Sequence, residues 1–273
     1  MADPLLHRWQ VGEISVVRVA SDDFALPADR PLPPWCVGDL CPSAGEVGIA
    51  FSALAVAASG TRIVVDPWLA NDDPRERPDA ADRAAAVLGR LADAGFDPDD
   101  VDVVVNTHLD GVGWNTRPDG HGGWQLSFPN ARYVYPHDEV RAIERGEPIM
   151  EGDGFEVLAS LTAIESVVAP MVLAEGVSLV DAPGHNFGHL AVRIESGDDL
   201  AIYPGHLVLT PFDIIDPDEP PPGGHGAELA APTRGRILAE LAHRQGILLT
   251  TLLGGSGGGR VAPGGGGGYQ LVG

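Results

Sequence analysis

The chain is poor in several things, and each shortage closes off a class of function. Basic residues are scarce: 17 Lys and Arg stand against 39 Asp and Glu, for a formal net charge of −22. Such a surface repels phosphate backbones and anionic lipid, so no nucleic-acid or membrane partner is expected, and the acidity itself reads as solubility. No apolar run reaches the roughly 18 residues of a membrane-spanning helix. Met1 to Trp9 lack a basic region followed by an apolar stretch, so no signal peptide is read and a cytoplasmic location is expected. Only two cysteines are present, Cys36 and Cys41, in a Pro-rich loop. They are too few for a thiolate metal site, and in a reducing cytoplasm two free thiols are expected. There is no Gly-x-Ser-x-Gly elbow, no Gly-Lys-Ser/Thr after the glycine-rich stretches, and no histidine placed beside either cysteine. A serine or cysteine nucleophile and a phosphate loop are therefore not expected.

What is there is an ordinary globular composition, 44% hydrophobic and 21% charged over 273 residues, enough for a sizeable core. Ile14–Ala20, Ile49–Ala58 and Arg62–Asp66 are rich in β-branched and small apolar residues and predict strands, the last two joined at Ser59-Gly60 as a hairpin. Ala84, Val87, Leu88 and Leu91 fall on one face of a helix over Ala81–Ala94, which Gly95 ends. Strand Val101–Val105 follows, then a short strand at Arg132–Tyr135 and helices at His137–Arg145 and Phe155–Ile164. The second half predicts strands at Val177–Val180, Leu190–Ile194 and Leu200–Tyr203, a helix at Arg234–His243 and a final buried strand at Ile247–Leu252. Pro217–Gly226 reads as a loop, and Gly254–Gly268 as loops around a short hairpin closing with Tyr269–Val272. Strands first and a helix later, twice over, predict two sheets packed together with helices outside, within one domain spanning residues 1–273.

The most informative stretch closes the Val101–Val105 strand: Asn106-Thr107-His108-Leu109-Asp110-Gly111-Val112-Gly113-Trp114-Asn115. Polar residues at the carboxyl end of such a strand line the pocket in α/β folds. Three further segments belong with it. Ile63-Val64-Val65-Asp66 precedes Asn71-Asp72-Asp73; Asp181-Ala182-Pro183-Gly184-His185-Asn186-Phe187-Gly188-His189 forms a compact turn; Leu200 to Tyr203 leads into Pro204-Gly205-His206. In this order the four segments resemble the metallo-β-lactamase superfamily, in its lactonase-like and organophosphate-hydrolase-like branch, over roughly residues 11 to 273. The resemblance implies an α/β (α+β) fold, an αββα sandwich of two mixed sheets flanked by helices. It also implies a site where imidazoles and carboxylates hold two metal ions and activate water against a carbonyl or phosphoryl centre.

Counted against that pattern, the ligands are incomplete. The first loop aligns in two ways. Either Thr107-His108 matches the family's Thr-His with two residues deleted before Asp110, or Asn106 replaces the first His and Gly111 the last. In both, His108 and Asp110 remain and two histidines are gone. His185 remains. His206 stands where the family has a bridging Asp, and an imidazole does not bridge two metals as a carboxylate does. Leu248 to Gly254 offer no final His. The expectation is therefore an enzyme without the dinuclear site and with no cofactor. His108, Asp110, His185 and His206 would do acid-base chemistry on a small molecule, as ester or lactone hydrolysis or as elimination, isomerisation or cyclisation in specialised metabolism. One alternative is a hydrolase with a single zinc or iron ion on His108, Asp110, His185 and His206. Another is a non-catalytic domain that binds a small molecule or a partner. Trp114, Trp68 and Trp35, with Phe24, are candidates to contact substrate. His189 is expected to be structural, and His121, His137 and His225 solvated. The expected partner is a small-molecule substrate, with homodimerisation left open.

Overall fold

The computed structural model describes residues 5–67, 80–109, 115–147, 154–186, 188–219 and 226–272. The first half runs β1 (Leu6–Val11), β2 (Ile14–Pro27), β3 (Glu46–Ala58), β4 (Thr61–Val65), α1 (Ala80–Asp93), β5 (Val103–Val105), β6 (Thr116–Pro118), β7 (Trp124–Leu126), β8 (Arg132–Pro136), α2 (His137–Glu144), α3 (Gly154–Leu161) and β9 (Ile164–Val167). The second runs β10 (Met171–Ala174), β11 (Val177–Asp181), β12 (Leu190–Ser196), β13 (Asp199–Tyr203), α4 (Phe212–Ile215), α5 (Ala230–Arg244), β14 (Ile247–Leu249), β15 (Gly258–Pro263) and β16 (Tyr269–Val272). Among the described residues these strands form two seven-stranded sheets, in the orders β1-β2-β3-β4-β5-β8-β9 and β10-β11-β12-β13-β14-β15-β16, and a separate β6-β7 hairpin. Both large sheets are mixed, since β4, β5, β8 and β9 pair parallel in the first and β13 and β14 in the second.

The two-residue period of the strands explains the layering. Val16, Val56, Ile63, Val65, Val103 and Val105 face the second sheet and join its Val192, Ile194, Tyr203 and Leu249 in one central core. Their sequence neighbours Val17, Ala55, Val64 and Val104 face outward, under Leu88 and Leu91 of α1 and Leu158 of α3. Ile202 and Leu248 do the same on the other side, under Ile237, Leu238 and Leu241 of α5. The predicted αββα sandwich is what forms. The β4 and β5 strands read as continuous Val/Ile runs because both of their faces are covered.

Several details differ from the sequence expectations, among them the β5 strand, which starts at Val103, and the α5 helix, which starts at Ala230. Cys36 and Cys41 are joined in a disulfide, not free, because a 3-10 turn over Gly38–Leu40 brings their Cα atoms to 5.3 Å. The Phe155–Ile164 helix stops at Leu161, and Ile164 instead starts an edge strand against β8. The last buried strand stops at Leu249, so Thr250 and Thr251 lie beyond it, fully buried, and Thr250 bonds back to Gly257.

Candidate active site

Polar side chains gather where β4, β5, β13 and β14 end. Asp66 directly follows β4 and is fully buried. Its φ of +47° lies in the left-handed region, which a residue with a Cβ adopts at a cost of about 1–3 kcal/mol. Aspartate is among the few residues that enter it readily. What holds it there is a set of accepted hydrogen bonds. The Thr107 N–H donates to Oδ1 (2.7 Å), and the Thr107 hydroxyl (2.6 Å) and the Tyr203 hydroxyl (2.6 Å) donate to Oδ2. Because Tyr203 spends its proton on Asp66, the Thr251 hydroxyl is the donor in the 3.0 Å contact between them. Burial first, and the Asp66 charge second, push the Tyr203 phenol well above its ordinary value, so it stays a neutral donor. The network thus joins Asp66 and Thr107 of the first sheet to Tyr203 and Thr251 of the second.

This network fixes a histidine tautomer. The Thr107 hydroxyl has given its proton to Asp66, so it accepts from Nδ1–H of His108 at 2.9 Å. Nε2 of His108 is then the nitrogen with the lone pair, and it faces Nδ1 of His206 at 3.1 Å. A carboxylate, a hydroxyl and an imidazole in series fix the orientation of the His108 ring. Desolvation, followed by the fields of His189 and His185, holds the His108 ring well below ordinary imidazole protonation. It is therefore neutral, with its Nε2 lone pair turned to His206.

His185 and His206 meet it from the second sheet. His185 lies in the turn between β11 and β12. Gly184 there takes φ +144°, and a Cβ on it would stand 2.4 Å from the Ala230 Cα at the start of α5. The His185 ring stands edge-on to His108 and His206, with centroids 4.9 and 4.8 Å away. His206 follows β13, and its ring centroid lies 4.3 Å from that of His108. Gly205 before it takes φ +56°, where a Cβ would fall 2.3 Å from Nε2 of His189. His189 is structural, as expected. Its Nδ1–H donates to the Ala182 carbonyl at 2.9 Å, and its Nε2 accepts the His206 N–H at 3.1 Å. Burial, then His185, pushes the His189 ring down to about 3. Arg234, buried in α5, donates to the Leu207 carbonyl at 2.6 Å and steadies the same turn. At the base of the other loop, Asn106 and Asn115 exchange side-chain amide bonds of 3.2 and 2.9 Å, both fully buried.

The structure therefore brings together His108, His185 and His206, with one ring nitrogen from each within 4.8 Å of the others. Asp110, Trp114 and Trp68 lie outside the described residues, as does His225. Trp35 is half-buried and packs against the apolar cluster that holds Leu207 and Val208, beside His206. Phe24 is largely exposed and pairs with Phe51. His121 is exposed, while His137 begins α2 and bonds Ser166. Sequence reasoning singles out neither Asp66, Thr107, Tyr203 and Thr251 as a network nor Glu139 of α2, whose carboxyl accepts the Leu109 N–H. The available signal is positional, since Asp66 and Thr107 each follow a Val-rich strand closely.

The metallo-beta-lactamase superfamily model matches residues 46–111. Solved structures share the fold over nearly the whole chain. A hydrolase in the β-lactamase superfamily, AbOPH, superposes with a TM-score of 0.72 at 17% identity, covering 100% of this chain and 98% of its own. AidC, a dizinc quorum-quenching lactonase in complex with the product N-hexanoyl-L-homoserine, gives 0.72 at 18% identity over 99% and 98%. A probable metal-dependent hydrolase from Staphylococcus aureus gives 0.64 at 17% identity over 89% and 91%. These findings correct the expectation of a site with no cofactor. The likeness is to a dizinc protein, and the histidine triad is itself a donor set suited to a metal ion. Ligand counting along the sequence treats each position separately. The fold instead brings the imidazoles of His108, His185 and His206 together. His108 Nε2 and His206 Nδ1 stand at hydrogen-bond distance, 3.1 Å, and the three ring nitrogens lie within 4.8 Å of one another, against a roughly 3.3 Å edge for a tetrahedral zinc site with about 2.0 Å bonds.

Proposed function

On the metallo-β-lactamase fold that this chain adopts, we propose a metal-dependent hydrolase of small lactones or esters, with one divalent ion held by His108, His185 and His206. The observation that carries this reading is the convergence of those three imidazoles, one ring nitrogen from each within 4.8 Å, from loops of both sheets. Three imidazoles satisfy a borderline-soft ion such as zinc while leaving a position open, and the ion supplies Lewis acidity and lowers the pKa of water.

The chain's own residues do the rest. Asp66 and Thr107 hold the proton of His108 on Nδ1 and leave the lone pair on Nε2 for the ion. His189 holds the backbone of His206. Asp110, two positions after His108, is the carboxylate that this reading assigns to proton transfer. A net charge of −22 disfavours anionic substrates, which supports neutral ring esters over phosphorylated ones. The lactonase neighbour supports the same substrate class.

The test is elemental analysis of the purified protein beside a lactone and ester panel. We expect about one zinc or iron per chain, with metal and turnover both lost in H108A, H185A and H206A. Two equivalents in the wild-type protein, or turnover that survives complete metal removal, would overturn the single-ion reading.

A further inference from the structure

The loop that carries His108 and the turn that carries His185 meet at one side chain on a third element. Glu139 sits in the first turn of α2 and is 2% exposed. A glutamate at the third helical position ordinarily reaches back to the N–H of the cap residue. The cap here is Pro136, which has no N–H to offer. The Glu139 carboxyl instead crosses to the neighbouring loop and accepts the N–H of Leu109, the residue after His108, at 2.5 Å. On its other side it abuts the His185 turn. A Cβ built on Gly188 would stand 3.0 Å from the Glu139 Cγ, 3.1 Å from its backbone nitrogen and 3.1 Å from the Asp138 Cβ. Gly188 and Glu139 are thus in near contact, and a larger residue at 188 would push α2 and the turn apart.

We propose that Glu139 is a positioning residue that sets the spacing between His108 and His185, and so the affinity of the site for its ion. This rests on the single-ion reading above. His108 belongs to the first sheet and His185 to the second, so the distance between them is a property of tertiary packing. Glu139 touches both carriers and holds one of them by a hydrogen bond that no water replaces easily in a buried position.

The test compares wild type, E139Q, E139A and G188A in zinc affinity by chelator competition, in the imidazole nitrogen resonances of the metal-free protein, and in thermal stability. E139Q keeps an acceptor for Leu109 and is expected within about threefold of wild type. E139A is expected to bind zinc roughly 10–100-fold more weakly, the range for loss of an outer-shell partner. G188A, which presses on Glu139 from the far side, is expected to weaken binding in the same direction by less. In the metal-free protein the His108 and His185 resonances should shift together in E139A and stay in place in E139Q, while the distant His243 does not move in either. If E139A loses stability but keeps its zinc affinity within threefold and both resonances unmoved, Glu139 only holds the fold and the proposal falls. A wild-type protein that takes up no zinc overturns the single-ion reading, and the metal-free resonances still decide on Glu139.

Discussion

The strands β4, β5, β13 and β14 carry two different interiors along their length. Between the sheets, Ile63, Val65, Val103, Val105, Ala201, Ile247 and Leu249 meet as an aliphatic core with no polar side-chain atom to satisfy. Just beyond, the same strands deliver Asp66, Asn106 and Thr107, and after β14 come Thr250 and Thr251, equally buried. Tyr203 belongs to both, with its ring in the core and its hydroxyl on Asp66. In the aliphatic region a residue is replaceable by anything of similar volume. In the polar region each residue is specified by the partner it must satisfy, because a buried donor left alone costs about 1–3 kcal/mol.

That contrast is easiest to break at Asp66. D66A removes the acceptor of three donors at once, and urea denaturation of the metal-free protein should show a loss of about 4 kcal/mol. A loss under about 1 kcal/mol, the size of one ordinary hydrogen bond, would show that the network is not structural. L249A, in the aliphatic half, should cost about 3 kcal/mol by leaving a cavity. Zinc affinity of the folded L249A protein should nonetheless stay at the wild-type value, and a parallel drop would merge the two regions. T107V keeps volume and loses the hydroxyl that orients His108. Chelator competition should show zinc held roughly 10–100-fold more weakly, about 1.4–2.7 kcal/mol, while T107S retains it. Y203F should cost about 1 kcal/mol of stability and little zinc affinity, because Thr107 still binds Asp66. The smallest effect belongs at the surface. Arg193 and then Arg244 hold the Glu195 carboxyl down to about 2. A depressed carboxyl stabilises fully above its ordinary value of 4.5 and loses that contribution as the pH falls through about 2. Wild type and E195Q should therefore differ by under about 1 kcal/mol at pH 6 and converge in strong acid, the small difference expected of a solvated pair.

The aliphatic half is legible in the sequence. Val101–Val105, Arg62–Asp66 and the Ala84/Val87/Leu88/Leu91 face announce their elements because burial on both sides of a strand, or on one side of a helix, writes a period into the chain. The short edge strands β1, β9 and β10 are not, since partly exposed edges mix polar and apolar residues. His108, His185 and His206 are legible as candidates through their place at strand ends and in a Pro-Gly turn. Their mutual approach is not, and that approach is what turns three scattered imidazoles into a donor set for a metal. Asp66 acts on Thr107, 41 positions away, and Tyr203 on Asp66, 137 away. No local pattern encodes such distances. The disulfide is hidden for a related reason. An argument from compartment favours free thiols, while the tight 3-10 turn between the cysteines decides the geometry.

At the root of the His108 loop, Asn106 and Asn115 grip each other through both amides, nine positions apart. This clasp is made of side chains alone, and it ties the end of β5 to the start of the Thr116 strand, so the two ends of the loop move as one body.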